Sequence, residues 1–222
     1  SCALKMNLQN LHNLHNNPKS LDHHDDVDLV PTLAWDKYKN KLKELRKREK
    51  LWAKDPKFAY LYAKNIKSPF PLGEPTIARD GQRSYEYARD VLKGSFPLGE
   101  PAIATSTALS YVYARFVLKG PFELGEPEIA KDGSKSYDYA DMVLKGPFKL
   151  GEPAIATQGY CSVLYANYIL RGPFPAGEKA IVDATHVYVI NEREKYIKLL
   201  SKYPRDLARF LKLKNELTQS PQ

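Results

Sequence analysis

Cysteine is nearly missing from this chain, and so are several other signatures that would narrow its function. Only Cys2 and Cys161 occur among 222 residues. They lie far apart and in no paired spacing, so a disulfide framework is not indicated and a reducing, intracellular setting is the default expectation. No apolar run approaches the roughly 20 residues that a membrane-crossing helix needs, so no membrane association is expected. Ser1–Asn10 lacks the basic-then-apolar layout of a signal peptide. No phosphate-cradling glycine loop, nucleophile elbow or paired metal spacing is present. The chain is therefore not expected to be an enzyme, to carry a cofactor or metal, or to act on a small-molecule substrate. His23-His24-Asp25-Asp26 is a weak metal pattern, since adjacent ligands stand without support at a second spacing. Cys161 reads as a small buried apolar residue rather than a nucleophile, although His186 could approach it in space.

What is present is tyrosine, charge and periodicity. Tyrosine occupies 15 positions, and the formal net charge is +8. That charge sits at the ends. Asp36–Lys54 carries nine Lys/Arg against three acidic residues, and Asn191–Leu217 eight against four, while the region between is close to neutral. A basic pole can meet nucleic acid, a membrane surface or an acidic protein, or it can simply be a solvated helical face.

The dominant feature is an internal repeat. Gly73-Glu74, Gly99-Glu100, Gly125-Glu126, Gly151-Glu152 and Gly177-Glu178 recur every 26 residues. Between them stand Tyr62-Ala63, Tyr87-Ala88, Tyr113-Ala114, Tyr139-Ala140 and Tyr165-Ala166. In one copy, Tyr85, Ala88, Val91 and Leu92 share a helical stripe. Gly94 sits where a left-handed residue would end that helix, and Gly120, Gly146 and Gly172 take the same place later. The first copy lacks this glycine and is one residue shorter. Phe96 and Leu98 then cross the unit, Pro101 lies near the start of a second helix, and Ile103 anchors it. Each copy thus reads as two short antiparallel helices of two or three turns, which gain stability by stacking on their neighbours.

The expected fold is all-α: an α-solenoid of about five 26-residue helix-turn-helix repeats with helical caps at both ends. Residues 1–31 read as an irregular polar arm, 32–54 as a basic capping helix, 55–189 as the repeat domain, and 190–222 as C-terminal capping helices and tail.

The repeats resemble a family of short repeats in open reading frames of bacteriophages and other large viruses, written Tyr-Ala-Arg-Asp-Val-Leu-Lys-Gly-Pro-Phe-Pro-Leu-Gly-Glu-Pro-Ala-Ile-Ala. Residues 87–104 match it at almost every position, and Tyr113–Ala130 and Tyr139–Ala156 match closely. The resemblance covers roughly residues 50–185. It implies a viral origin and a helical repeat fold, hence a host-cytoplasmic or virion location, and it implies no particular activity.

Two identical ladders run through the copies: Glu74, Glu100, Glu126, Glu152 and Glu178, and Lys67, Lys93, Lys119, Lys145 and Arg171. Their uniformity fits favourable charges at helix N- and C-termini better than a charged ligand groove. Differences between copies carry more information. The residue before the second Tyr runs Leu61, Glu86, Val112, Asp138, Leu164, and the residue two after the Ala runs Asn65, Asp90, Phe116, Met142, Tyr168. The inter-helix turn is Arg79-Asp80-Gly81 or Lys131-Asp132-Gly133 in two copies but Thr105-Ser106-Thr107 or Thr157-Gln158-Gly159-Tyr160 in the alternating ones. This alternation suggests that every second unit is covered, either by the chain's own arm or caps or by a partner. The expected function is a non-enzymatic binding scaffold that engages a protein, or a second copy of itself, through Val112, Phe116, Leu164, Tyr168 and Tyr160. The alternative is nucleic-acid binding by the basic ends, through Lys39, Lys43, Arg46, Lys47, Arg48, Lys50, Arg205, Arg209 and Lys212, with phosphate contacts dominating.

Overall fold

A computed structural model describes residues 32–219, with side chains described for 40–217. The arm and its His23-His24-Asp25-Asp26 cluster lie outside the described residues. The described chain is all-helical, with no strand. In order, the helices are α1 Thr32–Trp52, α2 Pro56–Ile66, α3 Glu74–Ile77, α4 Gly81–Tyr87, α5 Glu100–Ile103, α6 Thr107–Val112, α7 Glu126–Ile129, α8 Gly133–Tyr139, α9 Glu152–Ile155, α10 Gly159–Leu164, α11 Glu178–Asp183, α12 Val187–Leu200 and α13 Pro204–Gln219. The described chain divides between Ala102 and Ile103 into two compact units, described separately below.

Each copy starts on an N-cap. The Asp55, Asp80 and Asp132 side chains accept from Phe58, Arg83 and Lys135 N–H, and Ser106 accepts from Leu109 N–H at 3.4 Å. Gln158 makes no such bond. Part of the alternation in the inter-helix turns is therefore a change of cap chemistry.

The end of the first helix differs from the sequence expectation. No glycine adopts positive φ. The left-handed residue is the cation before it: Lys67, Lys93, Lys119, Lys145 and Arg171, with φ of 51–56°. The reason is a change of helix pitch. In α2 the Lys67 N–H closes onto Ala63 C=O, four residues back. In the later copies a π-helical turn follows: Ala88–Leu92, Tyr113–Leu118, Ala140–Leu144 and Tyr165–Leu170. There the N–H of Lys93, Lys119, Lys145 or Arg171 reaches the Ala C=O five residues back. The π turn is where the later copies absorb their one extra residue. Val91 and Leu92, both half-buried, share the place of the fully buried Ile66.

The second helix is shorter than expected. It is one turn of four residues in the first four copies and six residues in the fifth, with Pro75, Pro127 and Pro153 near its start. Its isoleucine is fully buried in every copy, from Ile77 to Ile181. Phe96 is buried but Leu98 is 55% exposed, so only the phenylalanine belongs to the core.

Three repeated polar side chains, Ser, Tyr and Glu, are consumed inside the fold. Ser84 Oγ donates to Ile77 C=O at 3.0 Å, and Ser110, Ser136 and Ser162 repeat the bond to Ile103, Ile129 and Ile155. The Tyr87 hydroxyl accepts from Phe70 N–H at 2.9 Å and donates to the Glu74 carboxylate at 2.7 Å. Tyr139 does the same with Phe122 and Glu126, and Tyr165 with Phe148 and Glu152. Glu74, Glu126 and Glu152 thus accept tyrosine hydroxyls from the following copy, a more specific task than complementing a helix dipole. Burial, with a smaller contribution from the facing glutamate, raises the pKa of these tyrosines. The Gly of each Gly-Glu pair sits in ordinary right-handed backbone but has no room: a Cβ on Gly125 would meet Phe122 and, at 2.7 Å, Ser110 Cβ.

Both ends of the repeat region imitate a copy. In the first unit Glu49 of α1 is buried and accepts the Tyr62 hydroxyl at 2.5 Å, thirteen residues apart, the spacing of Glu74 and Tyr87. In the second unit Tyr196 of α12 accepts from Phe174 N–H and donates to Glu178, eighteen positions before it. Arg209 of α13 closes the end by donating to Glu178 at 2.7 and 3.0 Å.

Candidate partner-binding surface

With the repeated Glu, Tyr, Ser, Gly, Phe and Ile accounted for inside the fold, candidate binding residues are those left outside. The residue before the second Tyr proves to be one half of an i, i+3 pair on the first helix. Arg83 Nη1 pairs with Glu86, and Lys135 Nζ lies 3.3 Å from Asp138. The same positions hold Phe58 and Leu61, Leu109 and Val112, and Cys161 and Leu164. The alternation is a swap of charged for apolar intrahelical pairs. Val112 and Leu164 are half-buried rather than open to solvent.

The position in the π turn behaves differently. Phe116, Met142 and Tyr168 are 51%, 43% and 47% exposed. They occupy the same place in three consecutive copies, so this row is apolar without interruption, and Met142 joins the residues singled out from the sequence. Asp90, its counterpart in the first unit, accepts from Arg89, Lys64 and the Tyr60 hydroxyl, and Arg89 above all holds its carboxyl well below the usual range. The Arg115 guanidinium lies 5.0 Å from the Phe116 ring centre. At the last copy, α12 reaches this row: Glu192 accepts from the Tyr168 hydroxyl at 3.0 Å, and Lys195 donates to the same hydroxyl at 3.1 Å. Burial would raise the Glu192 carboxyl, but hydrogen bonds from Lys195, Tyr168 and Asn167 outweigh it and leave it lowered. One end of the row is thus partly covered by the chain's own cap. Tyr160 is 53% exposed and stands at the start of α10, beside Tyr137, whose hydroxyl is pushed up to about 12 mainly by burial and then by Asp141.

The basic ends fare unevenly. In the first unit Lys43, Arg46, Lys47, Arg48 and Lys50 are all exposed, and Lys43, Arg46, Lys47 and Lys50 line one groove with Leu42. Lys47 pairs with Glu44 at 2.9 Å. Lys39 lies on α1, and its side chain falls outside the described residues. In the second unit Arg205 is exposed, but Arg209 is engaged by Glu178 and Asp206, and Lys212 lies 3.8 Å from Glu216.

The minor candidates resolve simply. Cys161 is buried, within reach of Ser134 and Gln158, and burial raises its thiol. His186 caps α12 and stacks on Tyr188. Among the described residues no His/Cys/Asp/Glu group could hold a metal, and no helix is long and apolar enough to cross a membrane. No protein-family model, curated protein or solved structure matches this chain.

Proposed function

We propose that this protein is a non-enzymatic α-solenoid scaffold that binds a protein partner through the outer row of its third to fifth copies. The observation that carries this reading is the row itself. Every other apolar position repeated through those copies is buried, half-buried or, like Leu124 and Leu150, set in a single 3-10 turn between the helices, whereas Phe116, Met142 and Tyr168 hold large side chains in solvent within the π turn of the first helix. Stacked helical copies offer such a row as an extended surface, and the differences between copies give it specificity. The resemblance of residues 87–104 to viral repeats makes a host or virion protein, or a second copy of the chain, the natural partner class. Nucleic-acid binding is the weaker reading, because two of the three C-terminal cations it needs are already paired.

Two measurements test the proposal. Fluorescence anisotropy with generic RNA and DNA at about 50 and 200 mM salt is expected to show no tight binding at either. Affinity capture from host extract, with sedimentation to detect self-association, is expected to yield a partner that Phe116→Asp/Met142→Asp abolishes. Submicromolar nucleic-acid binding that collapses at the higher salt, or a captured partner indifferent to the double substitution, overturns it.

A further inference from the structure

In the second unit the charges nearly balance, but the cations are unevenly paired. From Ile103 to Ala184 there are eight basic and nine acidic residues. Lys131, Lys135, Lys149 and Lys179 are each ion-paired, with Glu128, Asp138, Glu152 and Asp183. Arg115 donates to the Tyr111 hydroxyl at 2.7 Å. Among the described residues, the three cations of this stretch without such a partner are Lys119, Lys145 and Arg171, all exposed. These are the residues of this stretch held at positive φ, as Lys67 and Lys93 are in the first unit.

Left-handed backbone costs a residue with a Cβ about 1–2 kcal/mol. A cation at a helix C-terminus recovers about 0.3–1 kcal/mol through the dipole. The dipole therefore does not offset the strain. Glycine would remove it, and a glycine stands at the next position in each copy, where a Cβ on Gly120 or Gly146 would have its nearest neighbour 3.9–4.0 Å away. Strain that stability does not explain, repeated in register, marks a functional position. Each cation also follows an exposed member of the apolar row by three residues: Phe116 and Lys119, Met142 and Lys145, Tyr168 and Arg171.

Resting on the scaffold reading above, we infer that this double row receives an acidic protein segment, carboxylates on Lys119, Lys145 and Arg171 and apolar side chains on Phe116, Met142 and Tyr168. Charge complementarity selects a carboxylate-bearing chain. The near-zero net charge of the copies gives no long-range field for the dense charge of a nucleic-acid backbone.

The test is peptide display on the full chain and on Lys119→Gly/Lys145→Gly/Arg171→Gly, a variant whose glycines suit the left-handed backbone and which therefore folds, as circular dichroism will check. Wild-type protein is expected to enrich peptides that mix Asp/Glu with large apolar residues. A synthetic copy of the leading peptide is expected to bind the triple variant at least tenfold more weakly and Phe116→Ser/Met142→Ser likewise. Enrichment of peptides without carboxylates, or equal affinity for the triple variant, overturns this inference while leaving the scaffold reading in place. No enrichment on either protein, or tight RNA or DNA binding through these three cations, overturns both.

Discussion

At the scale of single residues, two glycines that look alike in the sequence have opposite roles. Gly125 lies against Phe122 and Ser110 with no space for a Cβ, whereas Gly120 has open space and no positive φ. Gly125→Ala is expected to cost about 1–3 kcal/mol, as overpacking in a tight core does. Gly120→Ala is expected to be neutral or to gain about 0.4–1 kcal/mol by narrowing the unfolded ensemble. Urea unfolding of both variants checks the contrast, and a loss of similar size at Gly120 would contradict the assignment of the left-handed position to Lys119. The sequence could not separate these roles, because a glycine after a helix is the ordinary left-handed cap. Which residue takes that backbone depends on how many residues lie between the fixed alanine and the cap, and the π turn changes that number.

At the scale of elements, the unit of cohesion is one tyrosine hydroxyl that joins two copies. Tyr139 accepts from the Phe122 N–H and donates to the Glu126 carboxylate while its ring meets Phe148 edge-on, with centres 5.0 Å apart. Tyr139→Phe keeps the ring and leaves a buried N–H without its acceptor, so a loss of about 1–3 kcal/mol is expected, read from the urea midpoint at unchanged slope. A negligible loss would mean that water replaces the hydroxyl. The period, the helix stripe and the buried Ala and Ile of each copy were legible from spacing alone. The end elements were less so. Glu49 stands thirteen residues before Tyr62, the right distance, but follows Arg48 where every other copy has glycine. Tyr196 was hidden by five extra residues between it and Glu178. Of the outer row, Phe116 and Tyr168 were legible, whereas Met142 was masked by the charged pair of its own copy, Lys135 and Asp138.

At the scale of the whole molecule, the tyrosine row gives a sharp alkaline limit. Burial first, then the facing glutamates, raises Tyr62, Tyr87, Tyr139 and Tyr165 above their ordinary 10.0; at Tyr196 burial is again the largest cause. Above pH 10 the folded chain keeps these protons and the unfolded chain loses them, so stability is full below that pH and falls as pH rises. Each tyrosine contributes a slope of up to about 1.4 kcal/mol per pH unit. Helical dichroism and tyrosinate absorbance are therefore expected to change together in one transition above pH 10, and ionisation of this row while helicity persists would refute the coupling. The identical spacing also makes copies interchangeable. Removing Glu126–Gly151 joins Gly125 to Glu152, which leaves Tyr165 thirteen residues after its glutamate and restores seventeen between it and Phe122. The shortened chain is expected to remain monodisperse and helical; aggregation in size-exclusion chromatography would show that the copies are not equivalent. A gene built this way can lengthen or shorten its product by unequal recombination, so that the reach of the protein becomes heritable variation that selection can adjust in whole steps, with no new interface to evolve.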